Sequence, residues 1–469
     1  MNKKSIMFCA ASFASVLLVA SDTPEVSDVI MTQQSLGREV TITYKLNNAP
    51  NGAVVTLDVV TNATGDVWAS IGGEAVCNAQ GAVWRKVTSA DADGEGRYTI
   101  KWRPDLSWEG HKVELADGGA RAVVTAWATN NTPDYMVVDI SASAATNSQA
   151  YYPSADFLPG GLLANDNYRK GLIVMRKIMA KDVKWMMGST GQETKRATAK
   201  EEAHQVVLPN NYYIGVFEIT QTQWSLIQSA LPSQFANPDD RALRPVEYVC
   251  YNEIRNNSSS TTSANTAYDW PSDPHPSSFL GMLRKKTGLD FDLPSESQWE
   301  FAARAGNGDT LWGDGSGILN EDVDSHLESL GRYRCNGGYL FDGTSYTAPE
   351  TSCGAANGTA KAGSYKPNDW GLYDMNGNVW EWCLDWWEDN IATAKDPSGV
   401  VYGGRVNINP ENSQQCLSGN APTSSYRMIR GGAYDQVAGA CRPANRYISR
   451  PTTRSQTIGL RVVCGAGLQ

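Results

Sequence analysis

Histidine is scarce: the 469 residues contain four, scattered at His111, His204, His275 and His326. With so few, and with cysteines at no zinc-type spacing, a zinc or iron enzyme is excluded as a working class. Positive charge is also short, with 40 Lys and Arg against 50 Asp and Glu and a formal net charge of −10. Affinity for nucleic acid comes mainly from neutralising phosphates, so no nucleic-acid partner is expected. The acidity fits extracellular calcium binding, and solvated surface charge explains it equally well. Beyond the first twenty residues no apolar run reaches membrane-spanning length, and neither a short internal repeat nor a long low-complexity tract occurs.

What is present describes a globular chain: 41% hydrophobic residues, 19% charged, and 15 Trp, 20 Tyr and 43 Gly. That length suits two or three domains. Residues 1–20 read as a secretory leader, with Lys3 and Lys4 before an apolar run from Ile6 to Val19, although an N-terminal anchor is the other reading. The leader places the mature protein outside the cytoplasm, secreted or periplasmic, with no membrane span after cleavage. Eight cysteines follow, an even number that permits disulfides, and Cys335 with Cys353 brackets a Gly-rich loop suited to one bridge.

From residue 21 to about 140 the pattern alternates as strands do. EVTITYKL (Glu39–Leu46), AVVTLDVV (Ala53–Val60), RYTIKW (Arg97–Trp102) and ARAVVTAWAT (Ala120–Thr129) are separated by Asn, Gly, Asp and Pro clusters. This predicts an all-β sandwich of immunoglobulin or fibronectin type over 21–140, without the Cys–Trp–Cys framework, and serving as a spacer or adhesion module. Residues 141–171 turn polar, with Gly and Pro, and read as a linker. A second domain then occupies 172–469, giving an α+β chain overall. Within it, LPSESQWEFAARAG (Leu293–Gly306) predicts a short helix with Ser295 and Gln298 as a capping box and Gly306 as its stop.

The segment GLYDMNGNVWEWCLDWW (Gly371–Trp387) is richer in aromatics and acids than an amphipathic helix or strand requires. It follows YYIGVFEITQTQW (Tyr212–Trp224) and the capped helix, and precedes IRGGAYDQVAGACRPANRYISRPTTRSQTIGLRVV (Ile429–Val463). These four stretches, in this order, together with RPVEYV (Arg244–Val249), resemble the formylglycine-generating enzyme family, also called sulfatase-modifying factors. The resemblance covers roughly 172–464 and implies an irregular α/β domain related to C-type lectin folds.

The resemblance further implies a structural calcium ion held by the Asp374 side chain, the Gly377 and Val379 carbonyls and the Glu381 carboxylate. Calcium wants several hard oxygens at close range, and a turning Gly-Asn segment can aim carbonyls inward. A tryptophan-rich core turn without metal is the alternative. In an extended segment Trp380 and Trp382 share one face while Glu381 points to the other.

Authentic members of the family oxidise a cysteine of sulfatase precursors with copper on two thiols, in a frame of Gly-Gly-Ser, two residues, Cys, four residues, Cys. Here the frame carries Ala433 in the serine position and Gln436 in the first thiol position, and keeps only Cys441. Soft thiolates suit Cu(I), and one thiolate with an amide does not make that site. The family's iron-dependent branch, which relies on a His-rich partner domain, does not fit four scattered histidines.

Two functions follow. One is a non-catalytic, exported module that binds a protein, peptide or glycan on a calcium-stabilised lectin-like scaffold. Its ligand surface is built from the Gly432–Arg446 loop, with Arg442, Asn445 and Arg446, and from Arg450–Gln456, unless those three residues only satisfy buried carbonyls. The other is an active sulfatase-modifying oxidase, with copper, whose missing thiol comes from another cysteine in space.

Overall fold

The structure is a computed structural model, and it describes residues 23 to 467 with short interruptions and without the longer stretches 109–118, 258–267, 348–357 and 388–425. The expected leader, 1–20, lies outside the described residues.

The four anticipated strands form within a residue or two of their predicted bounds, as Val40–Asn47, Ala53–Thr61, Tyr98–Trp102 and Ala120–Trp127. They divide between two antiparallel sheets. Val40–Asn47 lies between Glu25–Gln33 and Tyr98–Trp102, while Ala53–Thr61 pairs with Ala120–Trp127 along eight residues. Alternate side chains of both sheets (Ile42, Tyr44, Leu57, Val59, Ile100 and Trp102 among them) enter one core. The N-terminal region is therefore mostly β, with one-turn helices at Gly73–Val76 and Pro104–Ser107 rather than the all-β composition expected.

Residues 141–171 are not the expected linker. Gln149–Tyr152 is a strand paired with Tyr135–Asp139, which in turn pairs with Leu172–Ile178. Tyr151, Tyr152, Leu158 and Tyr168 are buried. The Gly and Pro residues of this stretch make turns between aromatic anchors rather than free chain. The resulting five-stranded sheet continues through Tyr212–Gly215 to Val463–Gly465 and so crosses both expected domain boundaries.

The remainder of the C-terminal region is irregular, with short helices at Gln221–Ile227, Phe279–Thr287 and Glu296–Arg304. Ser295 Oγ accepts from Gln298 N (3.1 Å) while Gln298 Oε1 accepts from Ser295 N (3.0 Å), the reciprocal capping expected. Ala305 and Gly306, both at positive φ, end the helix. A four-stranded sheet, ordered Arg446–Ser449, Arg427–Arg430, Trp380–Trp386, Ile458–Gly459, carries the segment of interest. Among the described residues no disulfide forms. Cys335 is a free thiol turned towards the Asp322 carbonyl (3.6 Å), and its expected partner Cys353 lies outside the described residues.

Candidate functional site

The chain entering Trp380–Trp386 is coiled by three left-handed residues, Asp374 (φ 58°), Gly377 (φ 104°) and Asn378 (φ 64°). Gly377 has no substitute: a Cβ there would lie 2.2 Å from the Arg332 carbonyl oxygen. Backbone bonds from Gly377 N to Gly431 O and from Asn378 N to Arg332 O, each 2.7 Å, fix the coil to two other segments. As the chain straightens, its side chains alternate as expected. Trp380 stacks on Tyr447 and Trp382 meets Tyr251 edge-on, while Glu381 turns to the other side, where Trp299 Nε1 donates to it at 2.7 Å.

Around this coil lies a fully buried charge cluster. Glu218 accepts from Asn378 Nδ2 (2.6 Å) and Val379 N (3.2 Å). Asp374 Oδ2 accepts from Gly363 N (2.7 Å), and its Oδ1 is buried without a partner. Glu381 takes both Arg461 Nη2 (2.8 Å) and Nε (3.1 Å). Burial pushes the Glu218 carboxyl well above its ordinary range, and the neighbouring Asp374 and Glu381 add to that. Burial likewise raises Asp374 to about 6, with Gly363 N–H and Arg461 opposing.

These residues fit a calcium ion in part. Asp374 offers a buried oxygen without a partner, and Glu218, Asp374 and Glu381 all lie near the Arg461 guanidinium, which bonds Glu381 of the three. Glu381 has different partners from those the resemblance implies: Arg461 and Trp299 between them engage both of its oxygens. Among the described residues no three His, Cys, Asp or Glu side chains are grouped to hold a metal. An ion here would rest on Asp374 and backbone carbonyls more than on Glu381.

Residues 431–441 place the altered thiol frame. Gly431 and Gly432 both have positive φ, and a Cβ on Gly432 would lie 2.6 Å from Cys441 Sγ. Ala433 is buried, and the Gln436 amide is tied to the neighbouring Asp435 carboxylate (2.9 Å). Cys441 is buried with Trp312, Leu327, Leu330, Tyr333 and Ala438, against which Cys335 also packs. Burial in this apolar setting pushes the Cys441 thiol up, which opposes formation of the thiolate that a metal ligand needs.

The expected ligand surface requires correction. Arg442 is buried and pairs with Glu201 (2.8 Å) and Glu193 (2.6 Å). Arg446 is buried in a two-pronged pair with Glu296 (2.6 and 2.9 Å). Asn445 is half-buried and donates to the Ala440 carbonyl. These groups hold the loop in place; they do not offer it to a ligand. Behind them, Arg430 meets Glu300, which also pairs with Arg304. Burial alone would raise Glu300, but Arg304 and Arg430 hold it below the usual carboxylate range.

Sequence reasoning missed Glu218, Arg461 and Glu296 as organisers. All three lie inside the motif stretches, but a buried acid or arginine carries no local mark to separate it from a surface one.

The family model of the sulfatase-modifying factor enzyme 1-like domain matches residues 176–466. Formylglycine-generating enzyme of Thermomonospora curvata is 29% identical over 174 residues, covering 36% of this chain and 48% of that protein. Its counterpart in Streptomyces coelicolor is 31% identical over 181 residues, covering 38% and 47%. The chain thus spans about half the length of these curated relatives. Among solved structures, Treponema denticola variable protein 1 is similar at 23% identity and a TM-score of 0.43, covering 63% of this chain and 95% of that one.

Proposed function

Residues 176–466 belong to the sulfatase-modifying factor family, and on that premise we propose that this chain is a non-catalytic member that binds a protein, peptide or glycan outside the cytoplasm. The observation carrying this reading is the state of Cys441. It is sealed in an apolar cluster, its thiol is driven towards the protonated form, and the position where the family frame has its first thiol is Gln436. Neither a thiolate pair nor an exposed sulfur is available at 436 and 441 for Cu(I).

The scaffold suits binding. Its coils are pinned by buried ion pairs, so surface loops can vary while the frame stays fixed. Calcium, in this reading, sits beside Asp374 with the Gly377 and Val379 carbonyls and stabilises the coil. Export rests on the leader-like first twenty residues.

Incubation of the purified protein with Cu(I) and a Cys-x-Pro-x-Arg peptide tests the reading. Mass spectrometry should find no aldehyde, and aldehyde formation overturns it. One observation favours the alternative, an active oxidase: Cys335 packs on the same cluster as Cys441 and is a free thiol. If Cys335 supplied the second sulfur, tight Cu(I) binding would occur in the wild type and vanish in Cys335→Ser.

A further inference from the structure

We propose, resting on the ligand-binding reading above, that a cavity beside the strand Val463–Gly465 is a binding site and that it takes one neutral sugar unit. The cavity has a volume of about 310 Å³, at the small end of the range for ligand sites, so it suits a single ring and not an extended chain. Three parts of the fold meet around it: the turn at Asn211, the start of the helix Glu296–Arg304, and the last strand of the five-stranded sheet.

Two aspartates close the outer side of that strand. Asp292 exchanges backbone bonds with Val463 (2.9 and 2.8 Å), and Asp290 Oδ1 accepts from Gly465 N (3.2 Å). On the helix side Tyr212 Oη donates to the Gln298 carbonyl (2.7 Å), which ties the first turn to the strand Tyr212–Gly215. Trp270 lines the cavity and packs against the core that contains Leu293 and Leu384, two further lining residues. The cavity thus has a fixed apolar wall.

The polar groups left over on its lining select the ligand. Gln298 is 9% exposed and its Oε1 is taken by Ser295 N, so what it has left for the cavity is its N–H donors. Asn211 repeats the pattern, with Oδ1 accepting from Lys181 N (2.9 Å). In both amides a backbone donor fixes which end is oxygen. The Trp270 indole N–H is a third donor. Asp290 supplies an acceptor, since a carboxylate has about four lone-pair sites and Gly465 N uses one. The other carboxylate is already matched: Asp292 takes Arg255 Nε and Nη2 (both 3.0 Å), Arg284 Nη2 (3.1 Å) and Leu293 N (2.9 Å).

Donors on three separate segments, a carboxylate and an apolar wall fit a ring that carries both hydroxyls and C–H faces. Each hydroxyl gives and accepts, so a sugar answers the donors and Asp290 together while its C–H face lies on Trp270. An ammonium or guanidinium accepts nothing and would leave the N–H groups facing a cation. An anion would meet Asp290, and among the described residues no Lys, Arg or His lines the cavity to offset that repulsion. A carboxamide or peptide unit has one carbonyl to offer to three donors.

The test is calorimetric titration of the full-length protein with glucose, galactose, mannose and N-acetylglucosamine. Glucuronic acid, glucosamine and a peptide array are run beside them. At least one neutral sugar should bind saturably at one site per chain, and more tightly than either charged sugar. Gln298→Glu keeps an oxygen for Ser295 N, as a capping box does, so the helix start should hold at an unchanged melting temperature. It exchanges an N–H donor for a carboxylate, so the preference for the neutral sugar over glucosamine should fall about tenfold or more. Trp270→Ala should weaken neutral-sugar binding by a similar factor, and Trp270→Phe, which restores a ring, should recover part of it.

No neutral-sugar binding, tighter binding of a charged sugar by the wild type, or neutral-sugar binding that neither Gln298→Glu nor Trp270→Phe alters overturns the proposal. Capture of peptides alone overturns the sugar but leaves a binding module standing. Aldehyde formation on the Cys-x-Pro-x-Arg peptide removes the binding-module reading itself.

Discussion

At Glu247 a fully buried carboxyl accepts the backbone N–H groups of Gln234 (2.7 Å) and Phe235 (3.0 Å) on one oxygen, and its other oxygen has no partner. Burial pushes its pKa up to about 7 against these two amides. A carboxyl raised in the folded state binds its proton more tightly folded than unfolded. Its contribution is fully present below the unfolded value near 4.3 and is lost as pH rises through about 7. Stability should therefore fall between about pH 4.5 and 7.5 by up to roughly 3 kcal/mol from this group. Glu247→Gln, which keeps an acceptor for both amides and cannot ionise, should flatten that fall. Urea melts at the two pH values check it, and equal slopes for the two proteins would remove Glu247 as the cause.

Residue scale also decides how calcium is tested. Glu381→Ala would strand the fully buried Arg461, which alone costs about 3–5 kcal/mol whether or not calcium binds. Asp374→Asn is the cleaner probe, since an amide oxygen can still accept from Gly363 N while the charge is gone. Calcium at a hundredfold excess over its Kd should stabilise the wild type by about 2.7 kcal/mol and the Asp374→Asn variant much less. A wild-type melting temperature indifferent to both calcium and chelator would end the calcium proposal.

Among elements, the helix Glu296–Arg304 was legible because its cap is local: serine and glutamine three residues apart answer each other across one turn. Ser295→Ala should cost about 1 kcal/mol, read from a chemical melt, because the Gln298 amide loses its acceptor at a buried helix start. A loss below a few tenths would show that tertiary packing alone holds the helix. The same locality made the strands legible, and the opposite faces of Trp382 and Glu381. Arg442 and Arg446 were misjudged for the converse reason. Their acids, Glu201 and Glu296, lie 241 and 150 residues away in sequence, and nothing near an arginine tells it from a surface one. The stretch 141–171 misled because its few aromatics, not its polar majority, decide where it goes.

At the scale of the whole molecule, the N-terminal sheets and the family domain do not meet as two finished bodies. Val54, from the first of these regions, shares a core with Trp224 and Leu460 of the other. In return Val174, Val216, Phe217 and Tyr373 lie in the N-terminal core. Phe217 and Tyr373 are in ring contact at 5.1 Å, and each directly precedes an acid of the buried cluster, Glu218 or Asp374. The N-terminal region thus packs behind the coil proposed to hold calcium. A chain starting at Leu172 would lose the strands Tyr135–Asp139 and Gln149–Tyr152 and open these four side chains to water. Each fully buried apolar side chain is worth about 1.5–3 kcal/mol, and a domain's whole stability is only about 5–15 kcal/mol. The shortened chain should accordingly be insoluble or lack a cooperative melt, and calorimetry of the full-length protein should show one transition. A soluble 172–469 fragment melting cooperatively, or two separated transitions in the full chain, would show that the seam is a contact between independent domains and return the N-terminal region to the role of a spacer.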